Sequence, residues 1–217
     1  MKEKLSRVVR ENKSLWLFIF LMVVFRSSFA DWNTVPTGSM KPTIVEGDRI
    51  FVNKLAYDIK IPLTDVSLYS LSDPKRGDII IFNSKAADER LVKRVIGLPG
   101  DVVAMTGNHL TINGIPAIYS DIRKEGEWIY AVESIGALSH RVKFSIIRSS
   151  PVSSFSPTQV PEGKYLVLGD NRDNSADSRF IGFVPRGEIS GRSTTVVMSL
   201  NYDHYYIPRP DRFFHTL

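Results

Sequence analysis

One serine and one lysine have the residue types and surroundings that nucleophilic catalysis requires. Ser39 lies in the stretch 36–40 (PTGSM), shortly after a hydrophobic segment. Lys93 lies inside the apolar run 91–96 (LVKRVI), which is typical of a β-strand. Burial disfavours an ammonium ion, so a lysine in such a strand can lose several pKa units and accept a proton from a serine hydroxyl. The sequence therefore indicates a serine nucleophile with a neutral lysine as its base.

Other assignments for these two residues stay open at this point. Histidine is the usual base for a serine, and the chain has four, in predicted turns, in a central segment and near the C-terminus: His109, His140, His204 and His215. A catalytic triad with one of them is not excluded, although the G-x-S-x-G elbow is missing. Ser39 as a turn serine and Lys93 as a solvent-facing strand residue are the simpler alternatives. The absence of cysteine excludes a thiol nucleophile and a thiolate metal site.

A polar segment at 169–179 (GDNRDNSADSR) lies between two apolar runs. Asp173, Ser175 and Asp177 have the spacing of calcium ligands. The sixth loop position is Ser178 instead of glycine and the twelfth is Val184, which excludes an EF-hand. The segment is either a solvated loop or a packed polar network that orients a buried lysine, and its apolar flanks favour the network.

Three segments, 36–44, 93–101 and 169–179, resemble in this order the signature boxes of bacterial type I signal peptidases, and 76–79 resembles a fourth. The resemblance runs from the hydrophobic segment to about Pro185 and omits the central segment. It implies a serine endopeptidase without cofactor or metal, in which Ser39 is the nucleophile and Lys93 the general base. Self-cleaving Ser-Lys peptidases of the repressor type and a non-catalytic membrane-anchored β-domain are the alternatives.

The resemblance also implies roles for residues around this pair. Ser175 would hold Lys93 by a hydrogen bond, and the Thr37 hydroxyl and the Ser39 N–H would form the oxyanion hole. Threonine stands at position 37 where serine is often found. The residues implied to brace the site are Asp170, Asp177 and Arg179.

The implied substrates are exported preproteins with signal peptides, cut after small residues at the first and third positions before the scissile bond. The peptide would bind in extended form by strand addition, with pockets for alternate side chains. The positions that match the pocket lining are Val35, Pro36, Met40, Ile44, Leu91 and Val92. Asn33 stands where an apolar aromatic residue is common, which leaves the preference of the outer pocket open.

The body of the chain is predicted to be mostly β. Gly-Asp dipeptides at 47–48, 77–78 and 100–101 each precede a run of strand-forming residues, and Asn113-Gly114 predicts a hairpin turn. Further strands are expected at 91–96, 109–112, 164–168 and 194–200. We expect a coiled antiparallel β-sheet body formed by residues 31–117 and 161–217. Residues 118–160 are predicted to be an inserted β-subdomain that ends in a flexible loop and carries His140 on its surface.

The start of the chain predicts a membrane anchor. The net charge is +5, and residues 1–13 contribute +3 of it, from five basic and two acidic residues. A nucleic-acid-binding protein would carry its basic residues over the folded body, so this distribution favours a basic tail beside a membrane. Residues 14–30 are predicted to be a single transmembrane helix, with the basic tail in the cytoplasm and the catalytic body on the extracytoplasmic side of a bacterial inner membrane. A signal peptide cleaved after Ala30 is the alternative, and retention of the segment is open. The expected partners are preproteins and lipid, without nucleic acid, and the protein is expected to be a monomer.

Overall fold

A computed structural model describes residues 12–64, 66–147 and 150–217. The predicted basic tail lies outside the described residues except for positions 12 and 13. Helix α1 (Lys13–Ser28) leads directly into the first strand, and a one-turn helix α2 (Ser178–Ile181) follows the polar segment. The remainder is mostly β, as predicted.

The strands, in chain order, are β1 (Ala30–Thr34), β2 (Asp48–Asn53), β3 (Asp58–Lys60), β4 (Ser67–Ser70), β5 (Ile79–Ser84), β6 (Glu89–Gly97), β7 (Val102–Thr106), β8 (His109–Ile112), β9 (Ile115–Pro116), β10 (Ile118–Glu125), β11 (Trp128–Ile135), β12 (Leu138–Ser145), β13 (Phe155–Gln159), β14 (Lys164–Leu168), β15 (Val184–Pro185), β16 (Ile189–Asn201), β17 (Ile207–Pro208) and β18 (His215–Thr216). The main sheet has the order β1-β2-β16-β5-β6-β14-β15, and β17 and β18 also pair with β16. All of these pairings are antiparallel, as predicted.

The local turn signals are confirmed. The Gly-Asp dipeptides lie at the start of β2, whose first residue is Asp48, and directly before β5 and β7. Gly47 has a φ of 89°, and a Cβ there would overlap the backbone of Leu200, so glycine is required by both conformation and space. Asn113 and Gly114 join β8 to β9 with φ values of 52° and 79°, as a type I′ hairpin turn needs.

Smaller sheets flank the main one. Strands β10, β11 and β12 form a three-stranded meander, and β13, β7, β8 and β9 form a four-stranded sheet. Strand β13 lies within the segment 118–160 that the sequence assigned to the insertion, yet it pairs with β7 of the body. The meander at 118–145 is thus the part of that segment that forms a sheet of its own.

The β5–β6 pair lies between two apolar clusters. Ile79 and Ile81 of β5 belong to a cluster that includes Val35 and Met40 of the Ser39 segment. Ile80 and Phe82, which alternation turns to the opposite face, belong to a cluster with Leu91 and Val95 of β6. These strands are therefore covered on both faces, and a polar side chain on β6 can be held away from water.

The meander is attached to the polar segment by buried charges. Arg172 donates to both carboxylate oxygens of Glu133, at 2.8 and 2.6 Å, and both side chains are fully buried. Burial by itself would raise the pKa of Glu133, but the guanidinium of Arg172 holds it below its ordinary value.

The surface position predicted for His140 is wrong. His140 is paired with Glu133 across β11 and β12, and only 8% of it is exposed. Its Nε2 lies 3.4 Å from a Glu133 oxygen. Burial lowers the pKa of His140 to about 4, so the ring is neutral at physiological pH. The strand alternation that buries Glu133 also turns His140 inward.

No helix among the described residues combines the length and the apolar character needed to cross a bilayer. Helix α1 has 16 residues.

We predict that replacing Glu133 with alanine destabilises the fold by about 3–5 kcal/mol, because it leaves a buried guanidinium without its partner. The measurement is urea-induced unfolding of the detergent-solubilised chain. Glu125→Ala, at an exposed position on β10, is the matched control and should change the free energy of unfolding by about 0.5 kcal/mol or less. Equal effects of the two substitutions would contradict a buried anchoring pair.

Candidate active site

The structure brings Ser39 and Lys93 into direct contact. The Nζ of Lys93 and the Oγ of Ser39 form a hydrogen bond of 2.7 Å. Lys93 projects from the middle of β6, and Ser39 lies in a single 3₁₀ turn, Gly38–Met40. Lys93 is 2% exposed and Ser39 9% exposed, which excludes the solvent-facing alternative for the lysine.

Burial changes the protonation of Lys93. Desolvation lowers the pKa of Lys93 from 10.5 to about 8, while Asp177, Glu89 and Asp170 act in the opposite direction. At pH 7 about a tenth of the amine is therefore neutral and can accept a proton, and this fraction grows as the pH approaches 8. The carboxylates prevent the pKa from falling further.

Asn171 fixes the position of the nucleophile segment. Its backbone N–H donates to the carbonyl oxygen of Ser39 at 3.0 Å, and its Nδ2 donates to the carbonyl oxygen of Gly38 at 3.0 Å. The sequence analysis gave Asn171 no role, because nothing in a polar segment shows which distant residues a single asparagine will contact.

Gly169 permits this close approach. A Cβ at Gly169 would overlap the Ser175 Oγ and the Ser39 carbonyl oxygen. The polar segment can therefore lie directly against the backbone of the nucleophile only with glycine at this position.

Asp170, which the sequence proposed as a bracing residue, is held by Arg94. The Nε and Nη2 of Arg94 donate to the two oxygens of Asp170 at 2.9 and 2.8 Å, and the Thr43 hydroxyl donates to the same carboxylate. Burial would raise the pKa of Asp170, but Arg94 keeps it below its ordinary value. Sequence reasoning missed Arg94 and Thr43. The signal for Arg94 was available, because an arginine in an apolar strand needs a partner.

Asp177 and Arg179 form an ion pair within the polar segment. Arg179 donates to both oxygens of Asp177 at 2.8 Å, and Asp177 also accepts the Gly169 N–H at 3.0 Å. Both side chains are almost completely buried. Residues 169–179 thus form a packed polar network instead of a solvated loop.

Ser175 lies beside Lys93 without bonding to it. Both line the same cavity, but the buried Ser175 Oγ forms no hydrogen bond with any described residue. The hydrogen bond to Lys93 that the sequence predicted is therefore not formed in this state.

A cavity of about 280 Å³ opens next to the Ser39–Lys93 pair. Of the positions that the sequence assigned to substrate pockets, five line it: Val35, Pro36, Met40, Leu91 and Val92. Ile44 is fully buried in the cluster behind Val35 and Met40 and does not reach the cavity. Thr37 also lines it, on the Ser39 side. Other lining residues were not anticipated: Glu89, Arg90, Asn174 and Ala176.

No group of three histidine, aspartate or glutamate side chains within the described ranges is placed to hold a metal ion. Besides the polar side chains of Glu89, Arg90 and Asn174, the cavity offers a serine hydroxyl, a buried lysine amine and backbone N–H groups. This combination is suited to acyl transfer.

Comparison with known proteins places the chain in a family. The family described as "Signal peptidase, peptidase S26" matches residues 8–198. Signal peptidase I of Pseudomonas fluorescens is 36% identical, over 91% of this chain and 76% of its own length. Signal peptidase I of Pseudomonas aeruginosa is 35% identical over the same shares. A crystal structure of a signal peptidase I from Enterococcus faecalis is 32% identical, covering 57% of this chain and 98% of that one with a TM-score of 0.37. The chain therefore belongs to the signal peptidase family, peptidase S26.

Proposed function

We propose that this serine endopeptidase removes signal peptides from exported preproteins, with Ser39 as the nucleophile and Lys93 as the general base. The observation that carries the assignment of these two residues is the 2.7 Å hydrogen bond between a buried lysine amine and a serine hydroxyl at an open cavity. The activity follows that named for the relatives, signal peptidase I.

The reaction is acyl transfer in two steps. Neutral Lys93 takes the Ser39 proton as Oγ attacks the scissile carbonyl, and the resulting ammonium returns that proton to the departing amine. Water then hydrolyses the acyl-enzyme, with Lys93 again acting as the base. The Ser39 N–H and the Thr37 hydroxyl stabilise the oxyanion. Each such donor is worth about 3–4 kcal/mol in the transition state.

The surrounding carboxylates favour the ammonium that forms during each step. Asp177, Glu89 and Asp170 all raise the pKa of Lys93. Asp170 and Asp177 are each held in place by an arginine, Arg94 and Arg179. Because these ion pairs are fixed before substrate binds, little reorganisation accompanies charge formation on Lys93. The unpaired Ser175 Oγ is the group that accepts a hydrogen bond from this ammonium.

The substrate binds as an added strand along β6. Strand β14 pairs with Arg94, Val95 and Gly97 of β6 but does not extend to its first residues, 89–93. Among the described strands only β5 pairs with these residues, so their other backbone edge is open toward the cavity, where an extended peptide can form main-chain hydrogen bonds. The side chains of Val35, Leu91 and Val92 make part of this lining apolar, which suits the small apolar side chains expected before the scissile bond.

In this proposal, the segment that contains helix α1 anchors the protein to the membrane, as the sequence predicts for residues 14–30. Its large apolar side chains are exposed on all sides, including Leu17 at 58%, Phe18 at 60% and Phe20 at 62%. A helix that is apolar all round requires a nonpolar environment. Arg26 forms an ion pair with Asp31 and lies over the Trp32 ring, 4.6 Å from its centroid, as is typical of side chains at the lipid–water interface.

We predict that Ser39→Ala and Lys93→Ala each lower kcat for cleavage of a preprotein by about 10³-fold or more, because each removes a member of a unit that acts together. Cleavage is measured by gel shift and confirmed by mass spectrometry of the product. The matched controls are Ser156→Ala and Lys75→Ala, both at exposed positions. Unchanged activity in either dyad variant, with folding intact, would defeat the assignment.

The rate should depend on pH through Lys93. Since only the neutral amine is a base, kcat/KM should fall about tenfold per pH unit below the Lys93 pKa of about 8 and level off above it. Glu89→Gln should move this limb to lower pH, because Glu89 raises the Lys93 pKa. A rate independent of pH across this range, or a limb that moves to higher pH in Glu89→Gln, would show that Lys93 is not the base.

The anchor is tested on membranes from cells that produce the protein. The chain should remain in the membrane pellet after washing with alkaline carbonate, and its intact mass should include residues 1–30. A peripheral protein known to be released by carbonate is the control in the same tube. A mature chain beginning at Asp31 would show instead that the segment is a cleaved signal peptide.

A further inference from the structure

We propose that Lys54 and Ser27 lock the end of helix α1 onto the catalytic body, and that this lock sets the shortest distance from the bilayer at which a preprotein is cut. The inference rests on the proposed function, including the membrane anchor, and it concerns which cleavage sites are reached rather than the reaction itself. The observation that carries it is a lysine ammonium bound to two backbone carbonyl groups at the C-terminal end of α1.

Lys54 caps helix α1. The last carbonyl groups of a helix have no partner within the helix, and the helix dipole favours a cation beside them. The Nζ of Lys54 donates to the carbonyl oxygens of Arg26 and Ser27 at 2.7 and 3.1 Å, and its backbone N–H donates to that of Phe29 at 3.0 Å. One residue of the catalytic body therefore holds three carbonyl groups at the point where the helix ends.

Further contacts hold the helix end from a second part of the body. The Oγ of Ser27 accepts a hydrogen bond from the backbone N–H of Leu63, in the loop between β3 and β4. The carboxylate of Asp31 lies 2.6 Å from the Arg26 Nη2 and 3.8 Å from the Lys54 Nζ. Only 16% of the Lys54 side chain is exposed, so its bonds are partly shielded from water. Because residues 54 and 63 bind the helix end at separate points, they restrict how α1 can tilt on the body.

Strand β2 connects this lock to the nucleophile segment. Lys54 directly follows β2 in the chain. At the opposite end of β2, the carbonyl oxygen of Asp48 accepts the N–H of Val35 at 2.9 Å. Between these ends, Ile50 packs in the apolar cluster that contains Val35 and Met40. The same strand therefore holds the helix end on one side and the nucleophile segment on the other, so a rigid lock fixes where the catalytic serine lies relative to the anchor.

The lengths involved predict which substrates are excluded. The extended chain from Ala30 to Val35, which lines the cavity, covers about 17 Å at about 3.3 Å per residue. With the end of α1 at the bilayer surface, an extended substrate needs a bridge of about five residues between its apolar segment and the scissile bond to cover the same distance. A shorter bridge reaches the cavity only if the body tilts toward the bilayer, whereas a longer bridge can form a loop at a small entropic cost. A rigid lock should therefore exclude substrates with short bridges and tolerate long ones.

The test uses the full-length enzyme in phospholipid vesicles and one preprotein with bridges of about three, six or ten residues, which span about 10, 20 and 33 Å. The small residues at the first and third positions before the scissile bond are kept in every form. With the unmodified enzyme, kcat/KM for the three-residue bridge should be lower than for the six-residue bridge by about tenfold or more, because the short bridge cannot reach the cavity. The six- and ten-residue bridges should differ by about twofold.

Enzyme variants locate the effect. Lys54→Met combined with Ser27→Ala removes the side-chain bonds of the lock and lets the body tilt. This double variant should raise kcat/KM for the three-residue bridge about tenfold, the factor expected from the loss of charge-assisted hydrogen bonds, and should change the value for the six-residue bridge by about twofold or less. Lys54→Arg keeps a cation that can donate to the same carbonyl groups, so it should keep the low value for the short bridge. Lys124→Met, at an exposed position on β10, is the matched control and should keep it too.

Three results would overturn the inference. They are equal rates for the three- and six-residue bridges with the unmodified enzyme, a ratio of these rates that the double variant leaves unchanged, and a Lys54→Arg variant that behaves like the double variant. Each ratio is taken within one enzyme preparation. A loss of folded protein therefore lowers both rates together and cannot imitate the expected gain for the short bridge.

A short peptide that carries the cleavage site without an apolar segment separates this failure from that of the proposed function. The unmodified enzyme and the double variant should cut it at about the same rate, because it needs no bridge to the bilayer. If it is cut but bridge length has no effect, the lock is refuted and the peptidase assignment stands. If the unmodified enzyme cuts neither the peptide nor the preproteins, the proposed function fails first.

Discussion

The site depends on keeping one lysine amine out of water. A protonated Lys93 could not act as a base, and a fully exposed one would be protonated at any physiological pH. Strand β6 provides the burial because apolar clusters cover both of its faces. The same clusters include Val35 and Met40, which flank the nucleophile in sequence. Packing of the core therefore sets both the protonation of the base and its distance from Ser39.

Burial alone would make Lys93 a poor proton carrier, because an amine with a very low pKa cannot hold the proton between steps. The buried carboxylates Asp170 and Asp177 counteract the desolvation. Asp170 is paired with Arg94 and Asp177 with Arg179, each in a fixed geometry. The two ion pairs therefore add little net charge near Lys93, but they provide a constant electric field there. A further buried pair, Arg172 with Glu133, ties the polar segment to the meander. The meander thus supports the loop behind the active site, which gives the inserted segment a structural role.

Local patterns predicted most strands and turns, because each signal is contained in a few consecutive residues. The Gly-Asp turns, the Asn113-Gly114 hairpin and the strands β8 and β14 were all predicted in place. The partners of buried polar groups were not predicted, since they come from distant parts of the chain. Asn171 and Gly38, which form a hydrogen bond, are 133 positions apart in the sequence. His140 was predicted to be a surface residue because its neighbour Glu133 becomes evident only when β11 pairs with β12. The bond from Ser175 to Lys93 that the family resemblance implies is not formed, whereas Lys93 and Ser39 are in direct contact.

In the proposed function, strand β6 also joins catalysis to substrate recognition. Its odd-numbered positions bring Glu89, Leu91 and Lys93 to one face, and its even-numbered positions bring Arg90 and Val92 to the other. The edge of the same strand, left free by β14 over residues 89–93, is where an extended peptide can bind. In the proposed binding mode, a peptide in register with this edge places its scissile carbonyl beside the Ser39–Lys93 pair and its alternate side chains against the lining that includes Val35 and Val92. A shift of one residue would turn every side chain to the wrong face, so the register that satisfies the pockets is also the one that presents the bond for cleavage.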